Sequence, residues 1–268
     1  MRRRLDAELV RRGLVSSRRV AVEAITAGNV TVGGAPASSA ARMVDAGEPI
    51  VVAGPPPRFV SRGGEKLAAA LERFSVDVSG RRCLDAGAST GGFSDCLLQH
   101  GAREVVAVDV GRGQLAWSVR EDPRVRVLER TNLRHLELAE LGEAAEIATA
   151  DLSFISLVLV APALARLTTS DAELVLLVKP QFEAGRTRVG RGGIVRDPAV
   201  HRDVLGSVVE GLGDAGLETV GMMVSPLRGA DGNREFLAHV RKPGLGVVAV
   251  DAATLDAVAA ADSGDADE

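Results

Sequence analysis

Lysine is nearly missing from this 268-residue chain, in which three lysines stand against 29 arginines. A chain so biased to arginine that still keeps Lys66 and Lys179 inside its most motif-like segments points to a need for an amine that can lose its proton, which a guanidinium cannot do. Cysteine is equally scarce. Cys83 and Cys96 are too few for a disulfide framework or a zinc cluster, and both fall in or beside apolar runs, so a reduced, cytoplasmic protein without a metal site is expected. No apolar stretch reaches the roughly 18 residues of a membrane-spanning helix. The start, Met1-Arg2-Arg3-Arg4-Leu5-Asp6, is basic but continues into Glu8, Arg11 and Arg12 rather than an apolar run, which excludes a secretory signal. Aromatics make up only 3% of the residues, and no long amphipathic hairpin or helix is present for a pore former to insert.

What is present is the composition of a soluble globular protein, 46% hydrophobic and 25% charged. The length suits one large core plus a small accessory module. The net charge of −4 is unevenly spread: residues 1–66 carry +5 and the remaining 202 carry −9. The basic end is where a nucleic-acid backbone would be met, although a solvated surface accounts for an excess of this size equally well.

Residues 5–13 and 16–27 read as two short helices, with Leu5, Leu9, Val10 and then Val20, Ala21, Ala24, Ile25 at helical spacing, Gly13 and Gly28 as stops, and Ser16 or Ser17 as a cap. Asn29 to Ala35 reads as a strand entering a Gly33-Gly34 turn, and Glu48 to Val52 as a closing strand. Residues 1–57 therefore form a small α+β module, with a stiff Gly54-Pro55-Pro56-Pro57 linker spanning about 54–60. From Arg81 onward short β-branched runs at 82–85, 104–110, 125–129, 146–151, 173–178, 217–224 and 234–240 alternate with helical segments. That pattern predicts an α/β domain over 61–250, with seven strands in a parallel, Rossmann-like sheet covered by helices on both faces. Residues 251–261 read as a last helix, and 262–268 as a frayed acidic tail.

The first of these strands runs into a glycine-rich turn, Asp85-Ala86-Gly87-Ala88-Ser89-Thr90-Gly91-Gly92-Phe93. Such a turn allows close approach of a ligand to the backbone and to the free N–H groups that open the next helix. About 24 residues later the second strand ends in Asp109, placed to accept hydrogen bonds from a ribose diol. A nicotinamide fingerprint would read G-x-G-x-x-G; the turn here is D-x-G-x-x-x-G-G, with an acid on the strand. That acid suits a cationic amino-acid ligand, so S-adenosylmethionine outranks NAD and a dehydrogenase ranks low. Candidate cofactor contacts are Asp85, Gly87, Ser89, Thr90, Gly91, Gly92, Phe93, Asp109 and Asn132.

Ligand sites in such sheets lie outside the carboxyl ends of the strands, and three further polar groups fall there. Asp151 ends the fourth strand. Leu174-Val175-Leu176-Leu177-Val178 runs straight into Lys179, and Pro180 then turns the chain out of the sheet. Glu235 opens the last strand, while Lys66 lies on a helix that begins after Ser61-Arg62-Gly63-Gly64. Lys242, in Arg241-Lys242-Pro243-Gly244, reads as a turn residue.

The ordered set Lys66, Asp151, Lys179 and Glu235 around this loop resembles the Lys-Asp-Lys-Glu tetrad of FtsJ-type RNA ribose 2′-O-methyltransferases. The segments Leu5 to Arg18 and Ile25 to Gly34 resemble the S4 RNA-binding domain. Together with Val60 to Leu67, Asp151 to Ser156 and Val178 to Glu183, they make nearly the whole chain similar to the TlyA (haemolysin A) family. That resemblance implies methylation of cytidine ribose in ribosomal RNA, with ribosomal RNA or ribosomal subunits as partners, and a soluble protein, taken as a monomer, away from membranes. It further implies that Lys179 acts as general base or orienter of the 2′-hydroxyl, with Lys66 as a second cation tuning it, Asp151 holding Lys179, and Glu235 orienting Lys66 or the ribose. Arg4, Arg11, Arg12, Arg18 and Arg19, with Arg2 and Arg3, would contact phosphates. The stretch Gly185 to Gly193 would be a substrate loop or a solvated connection. The rival readings are an RNA-binding protein with a silent methyltransferase fold and a membrane-lytic protein.

Overall fold

The apolar positions spaced for helices in the first 50 residues do share one core: Leu5, Leu9, Ala21 and Ile25 are buried with Val30, Val32, Val44 and Ile50. The computed structural model describes residues 2–15, 17–54, 57–244 and 248–261. The chain divides into two compact units, Met1–Ser61 and Arg62–Glu268.

In the first unit β1 (Arg3–Arg4) leads into α1 (Leu5–Arg11) and α2 (Arg18–Thr26), followed by β2 (Val30–Val32), β3 (Ala35–Pro36), β4 (Met43–Val44) and β5 (Ile50–Val52). Ser17 caps α2, accepting the Val20 N–H at 3.3 Å; the alternative cap, Ser16, and the linker residues Pro55 and Pro56 lie outside the described residues. β2 sits between β3 and β5, with Gly33-Gly34 making the expected turn. Sequence reasoning missed the pairing of β1 with β4, because two-residue strands of arginine carry no hydrophobic alternation.

The second unit opens with α3 (Gly63–Phe74), β6 (Arg82–Ala86), α4 (Gly92–Gln99), β7 (Glu104–Val108), α5 (Trp117–Arg120), β8 (Val125–Leu128) and α6 (Leu138–Leu141). It continues through β9 (Ala145–Ala150), α7 (Leu157–Leu167), β10 (Thr168–Val178), α8 (Pro180–Glu183), α9 (Pro198–Asp214), β11 (Glu218–Val224), β12 (Phe236–Arg241) and α10 (Ala252–Ala260). The strands form one sheet in the order β11-β12-β10-β9-β6-β7-β8. Neighbouring strands from β10 to β8 pair in parallel, but β12 is antiparallel to both β10 and β11. The expected all-parallel sheet is thus mixed. The reason is local: β11 and β12 are joined by a turn with no crossover helix, and only a crossover returns a chain parallel to itself.

One face of the sheet packs Leu84, Val106, Ala148, Leu176 and Phe236 with α7 and α9 in a single cluster. The alternate residues Cys83, Val105, Ile147, Val175 and Leu177 are buried as well, so both faces are covered, as the continuous apolar runs require. Lys242 is more than a turn residue: its ammonium donates to the Thr168 carbonyl at 2.6 Å and ties the end of β12 to the start of β10, and burial lowers its pKa. Asp251 caps α10 through the Thr254 N–H at 2.8 Å; the tail 262–268 lies outside the described residues.

Candidate active site

The cofactor loop is built by close approach of two strand ends. Gly87 follows β6 at φ +82°, and a Cβ there would lie 2.7 Å from the Asp151 carbonyl oxygen beyond β9, so no other residue fits without moving one of the strands. The turn is closed by Asp109 at the end of β7, whose two carboxylate oxygens accept the Ser89 N–H at 2.8 Å and the Gly111 N–H at 2.6 Å. A cavity of about 490 Å³ opens over this turn, lined by Gly87, Ser89, Asp109, Asn132, Asp151 and Ser153 among others.

The nine candidate cofactor residues therefore separate. Gly87, Ser89, Asp109 and Asn132 line the cavity; Asp85, Thr90, Gly91, Gly92 and Phe93 do not. Asp85, expected to face a cationic ligand, is instead fully buried behind the loop, where it accepts hydrogen bonds from Ser94 Oγ at 2.6 Å and Thr149 Oγ1 at 3.1 Å. Burial pushes its carboxyl up to about 6 against the pull of those two hydroxyls. It fastens β6 to α4 and β9, which fixes the loop from beneath. Gly91 precedes α4 and Gly92 and Phe93 begin it, while the Thr90 carbonyl accepts the Ala116 N–H at 3.1 Å. Gln114, which lines the cavity and lies 3.4 Å from Ser89 Oγ, carried no sequence signal because it sits in an irregular segment.

The four candidate catalytic residues form two ion pairs at the carboxyl end of the parallel strands. Register explains how: Val178 pairs with Phe236 across β10 and β12, so Lys179 and Glu235, the next residues outward, leave neighbouring strands at the same end. Asp151 leaves β9 beside them, where Ala150 pairs with Leu176. Lys179 Nζ forms an ion pair with Asp151 Oδ1 at 2.6 Å and donates to Ser153 Oγ at 3.2 Å. Lys66, from the first turns of α3, forms an ion pair with Glu235; the two side chains are 9% and 3% exposed. Asp151 thus pairs with Lys179 and Glu235 with Lys66, each lysine holding its own carboxylate. Glu235 is roofed by Gly229, where any Cβ would strike its carboxylate. Asn233, two residues earlier, accepts the Val195 N–H and donates to the Gly193 carbonyl, both at 2.9 Å, and so anchors the far end of the Gly185 to Gly193 stretch.

Ser153 was missed as a site residue although it stands two positions after Asp151. Beside it Phe154 is held at φ +64° and is 91% exposed, its ring 5.2 Å from that of Phe182. A bulky residue in the left-handed region is strained, which here accompanies a site rather than a core.

In the first unit the arginines are organised around two buried acids. Asp6 takes Arg4 and Arg18, and Glu8 takes Arg11 and Arg12; these partners hold both carboxyls down at about 2, the Arg4 and Arg11 hydrogen bonds contributing most. Arg12 also donates to the carbonyls of Asp45, Ala46 and Glu48, and its side chain is only 19% exposed, so it is a structural clamp. Arg4, Arg11, Arg18 and Arg19 remain roughly half exposed.

The fold is shared with a solved S-adenosylmethionine-dependent methyltransferase from Mesorhizobium loti, 15% identical, which superposes with a TM-score of 0.50 over 66% of this chain and 98% of that one. The FtsJ-like methyltransferase family matches residues 59–242 and the S4 domain matches residues 3–50. The chain belongs to the FtsJ-like methyltransferase family, in the group that includes the TlyA proteins, and it is an enzyme with an S4 domain at its N-terminus. It is 52% identical over 241 residues to the 16S/23S rRNA (cytidine-2′-O)-methyltransferase TlyA of Mycobacterium tuberculosis, covering 90% of each chain. It is 40% identical over 237 residues to Hemolysin A of Brachyspira hyodysenteriae, covering 88% of this chain and 98% of that one. A solved structure from Streptococcus thermophilus, 40% identical, superposes with a TM-score of 0.79 over 97% of this chain and 94% of that one. Fold and family imply S-adenosylmethionine as cofactor. Among the described residues no helix is long and apolar enough to cross a membrane.

Proposed function

We propose that this enzyme methylates the ribose 2′-hydroxyl of a cytidine in ribosomal RNA, using Lys66, Asp151, Lys179 and Glu235. In this reading residues 1–57 serve as the RNA-binding module and 61–250 as the methyltransferase. The observation that carries the reading is the Lys179–Asp151 ion pair, at 2.6 Å, with Asp151 lining the same cavity as Gly87, Ser89, Asp109 and Asn132. The residues fit the cofactor: Gly87 leaves the strand ends bare where a Cβ would collide, and Asp109 and Asn132 offer carboxylate and amide groups to an adenosyl moiety. Gly87, Ser89, Asp109 and Asn132 would hold S-adenosylmethionine, which when bound supplies a methyl group already activated on a sulfonium.

What remains for the protein is to position a 2′-oxygen and manage its proton. Lys179 Nζ lies 2.6 Å from Asp151 Oδ1 and donates to Ser153 Oγ, which sets it to face a 2′-oxygen brought to the same strand end. Lys179 takes part as the neutral amine, having first given a proton to solvent; its lone pair accepts the 2′-hydroxyl proton as the oxygen attacks, and Asp151 holds the ammonium that results. Lys66 and Glu235 are too enclosed to reach far, so they act by fixing the strand end beside Lys179. Exposed Arg4, Arg11, Arg18 and Arg19 supply phosphate contacts that set register without reading bases.

The test is transfer of labelled methyl groups to ribosomal RNA with mapping of the product by primer extension and mass spectrometry. Lys179→Arg keeps the charge and is expected to lower transfer by about 100-fold or more, with S-adenosylmethionine affinity within about threefold of wild type. Wild-type transfer by Lys179→Arg removes the central role; failure of the wild-type protein to bind S-adenosylmethionine favours a silent fold.

A further inference from the structure

Glu183 has no part in the tetrad, yet it joins the two segments that the tetrad depends on. It lies four residues after Lys179, at the end of α8, and its Oε1 accepts the backbone N–H of Leu157 at 2.8 Å, 26 residues away. The Ser156 hydroxyl bonds the same carboxylate. Leu157 opens α7, and the irregular segment from Asp151 to Ser156 hangs between that helix and β9. At its β9 end the segment is fixed by the Asp151 N–H to the Ala86 carbonyl, at 3.0 Å. At its other end the cross-chain fastening is Glu183.

We propose that Glu183 is a positioning residue that locks the loop carrying Asp151 and Ser153 to the turn carrying Lys179, and so sets the geometry of the Lys179–Asp151 pair. The inference rests on the reading of that pair as the reacting centre. Helix capping alone does not account for the carboxylate. The eleven-residue α7 already has its own cap, Ser156 Oγ accepting the Val158 N–H at 3.1 Å. Burial moreover raises the Glu183 pKa, so the charged group is held there at a cost that a neutral acceptor would avoid. What a carboxylate adds is two acceptor oxygens, able to grip the Leu157 N–H and the Ser156 hydroxyl together. Besides the Lys179 contacts with Asp151 and Ser153, the two segments also meet where the ring of Phe154 packs against that of Phe182, and Glu183 adds a polar tie from outside the pair.

The experiment compares wild type, Glu183→Ala, Glu183→Gln and Asp151→Asn, with and without Glu183→Ala, for kcat and KM on ribosomal RNA at saturating S-adenosylmethionine. Cofactor affinity and urea midpoint are measured alongside. Glu183→Ala is expected to lower kcat by about 10- to 100-fold with KM and cofactor affinity within about threefold, because small misplacement of a reacting pair costs rate rather than binding. Glu183→Gln, which keeps an acceptor for Leu157, should recover to within about threefold of wild type. In the Asp151→Asn background Glu183→Ala should cost less than about threefold, since the pair it positions is already gone. Wild-type kcat in Glu183→Ala overturns the inference, as does a loss that multiplies fully with Asp151→Asn or tracks the urea midpoint equally in the Ala and Gln variants. Should Glu183→Ala fold poorly, Ser156→Ala takes its place, with a fall of about threefold in kcat expected and none overturning the idea. An inactive wild-type protein overturns the methyl-transfer reading itself, a result distinct from an active wild type with an indifferent Glu183.

Discussion

Glu235→Ala strips the partner from a lysine that is largely buried. Lys66 is 7% exposed, Glu235 is 3% exposed, and Lys66 has no other side-chain bond among the described residues. Removing one member of a buried pair costs about 3–5 kcal/mol, mostly because the remaining charge is left without compensation. With a urea slope of about 2–3 kcal/mol per molar, the unfolding midpoint should fall by about 1–2 M. Replacing both groups with apolar side chains of similar volume, Lys66→Met with Glu235→Leu, removes the stranded charge, so the double variant should return to within about 1–2 kcal/mol of wild type. Circular dichroism across a urea series on wild type, Lys66→Met, Glu235→Leu and their double variant, with Glu235→Ala beside them, gives the coupling directly. Methyl transfer measured on the same four separates the roles: the double variant should be folded and still impaired. A loss below about 1 kcal/mol in Glu235→Ala, or a double variant as unstable as the two single losses combined, would refute the claim that this is a buried, mutually dependent pair. Full activity in the double variant would reduce the pair to packing.

Four other outcomes follow from the structure. Gly87→Ala places a methyl group 2.7 Å from the Asp151 carbonyl at a positive φ, and should cost about 2–4 kcal/mol while abolishing S-adenosylmethionine binding in a titration. Asp85, held at about 6 when folded against an ordinary value of 3.8, binds more protons in the folded state than in the unfolded one between those values. Its contribution is therefore full below about pH 4 and lost as pH rises through 6, so the stability of wild type relative to Asp85→Asn should fall by about 2 kcal/mol between about pH 4.5 and 7.5 in urea melts. A pH-independent difference would count against burial as the cause. Arg12→Ala loses its grip on Glu8 and three carbonyls and should destabilise the first unit by about 2–3 kcal/mol, seen as lost hydrogen-exchange protection in α1 and β2. Arg19→Ala, paired only with half-exposed Glu23, should leave stability within about 0.5 kcal/mol and instead reduce the salt slope of RNA binding by about one.

Much of this arrangement was legible in the chain. All seven strands of the large sheet were read within a few residues, since buried parallel strands announce themselves as β-branched runs between helical segments. The reading that ended one such run at Lys179 also put that lysine at the strand end where it pairs with Asp151. Less legible were the features that depend on partners far away in sequence. The direction of β12 depends on what joins it to β11, and the pairing of β1 with β4 depends on backbone bonds to which arginine side chains contribute nothing. Arg12 looked like its neighbours in the basic stretch; only the carbonyls of Asp45, Ala46 and Glu48 make it a clamp.

The sequence by itself determined the class of the fold, the position of the glycine turn and the placing of Asp151, Lys179 and Glu235 at strand ends, because periodicity and turn chemistry are local properties of the chain. Tertiary structure decided how those residues are used. Asp85 carries the same carboxyl as Asp109, yet one is sealed behind the loop by Ser94 and Thr149 and the other lines the cavity. Lys66 and Lys179 carry the same amine, yet one is paired with Glu235 while the other stands between Asp151 and Ser153, two residues that line the cavity. The charge on a side chain is written in the sequence; its solvation and its partner are set by strands brought together from across the whole unit.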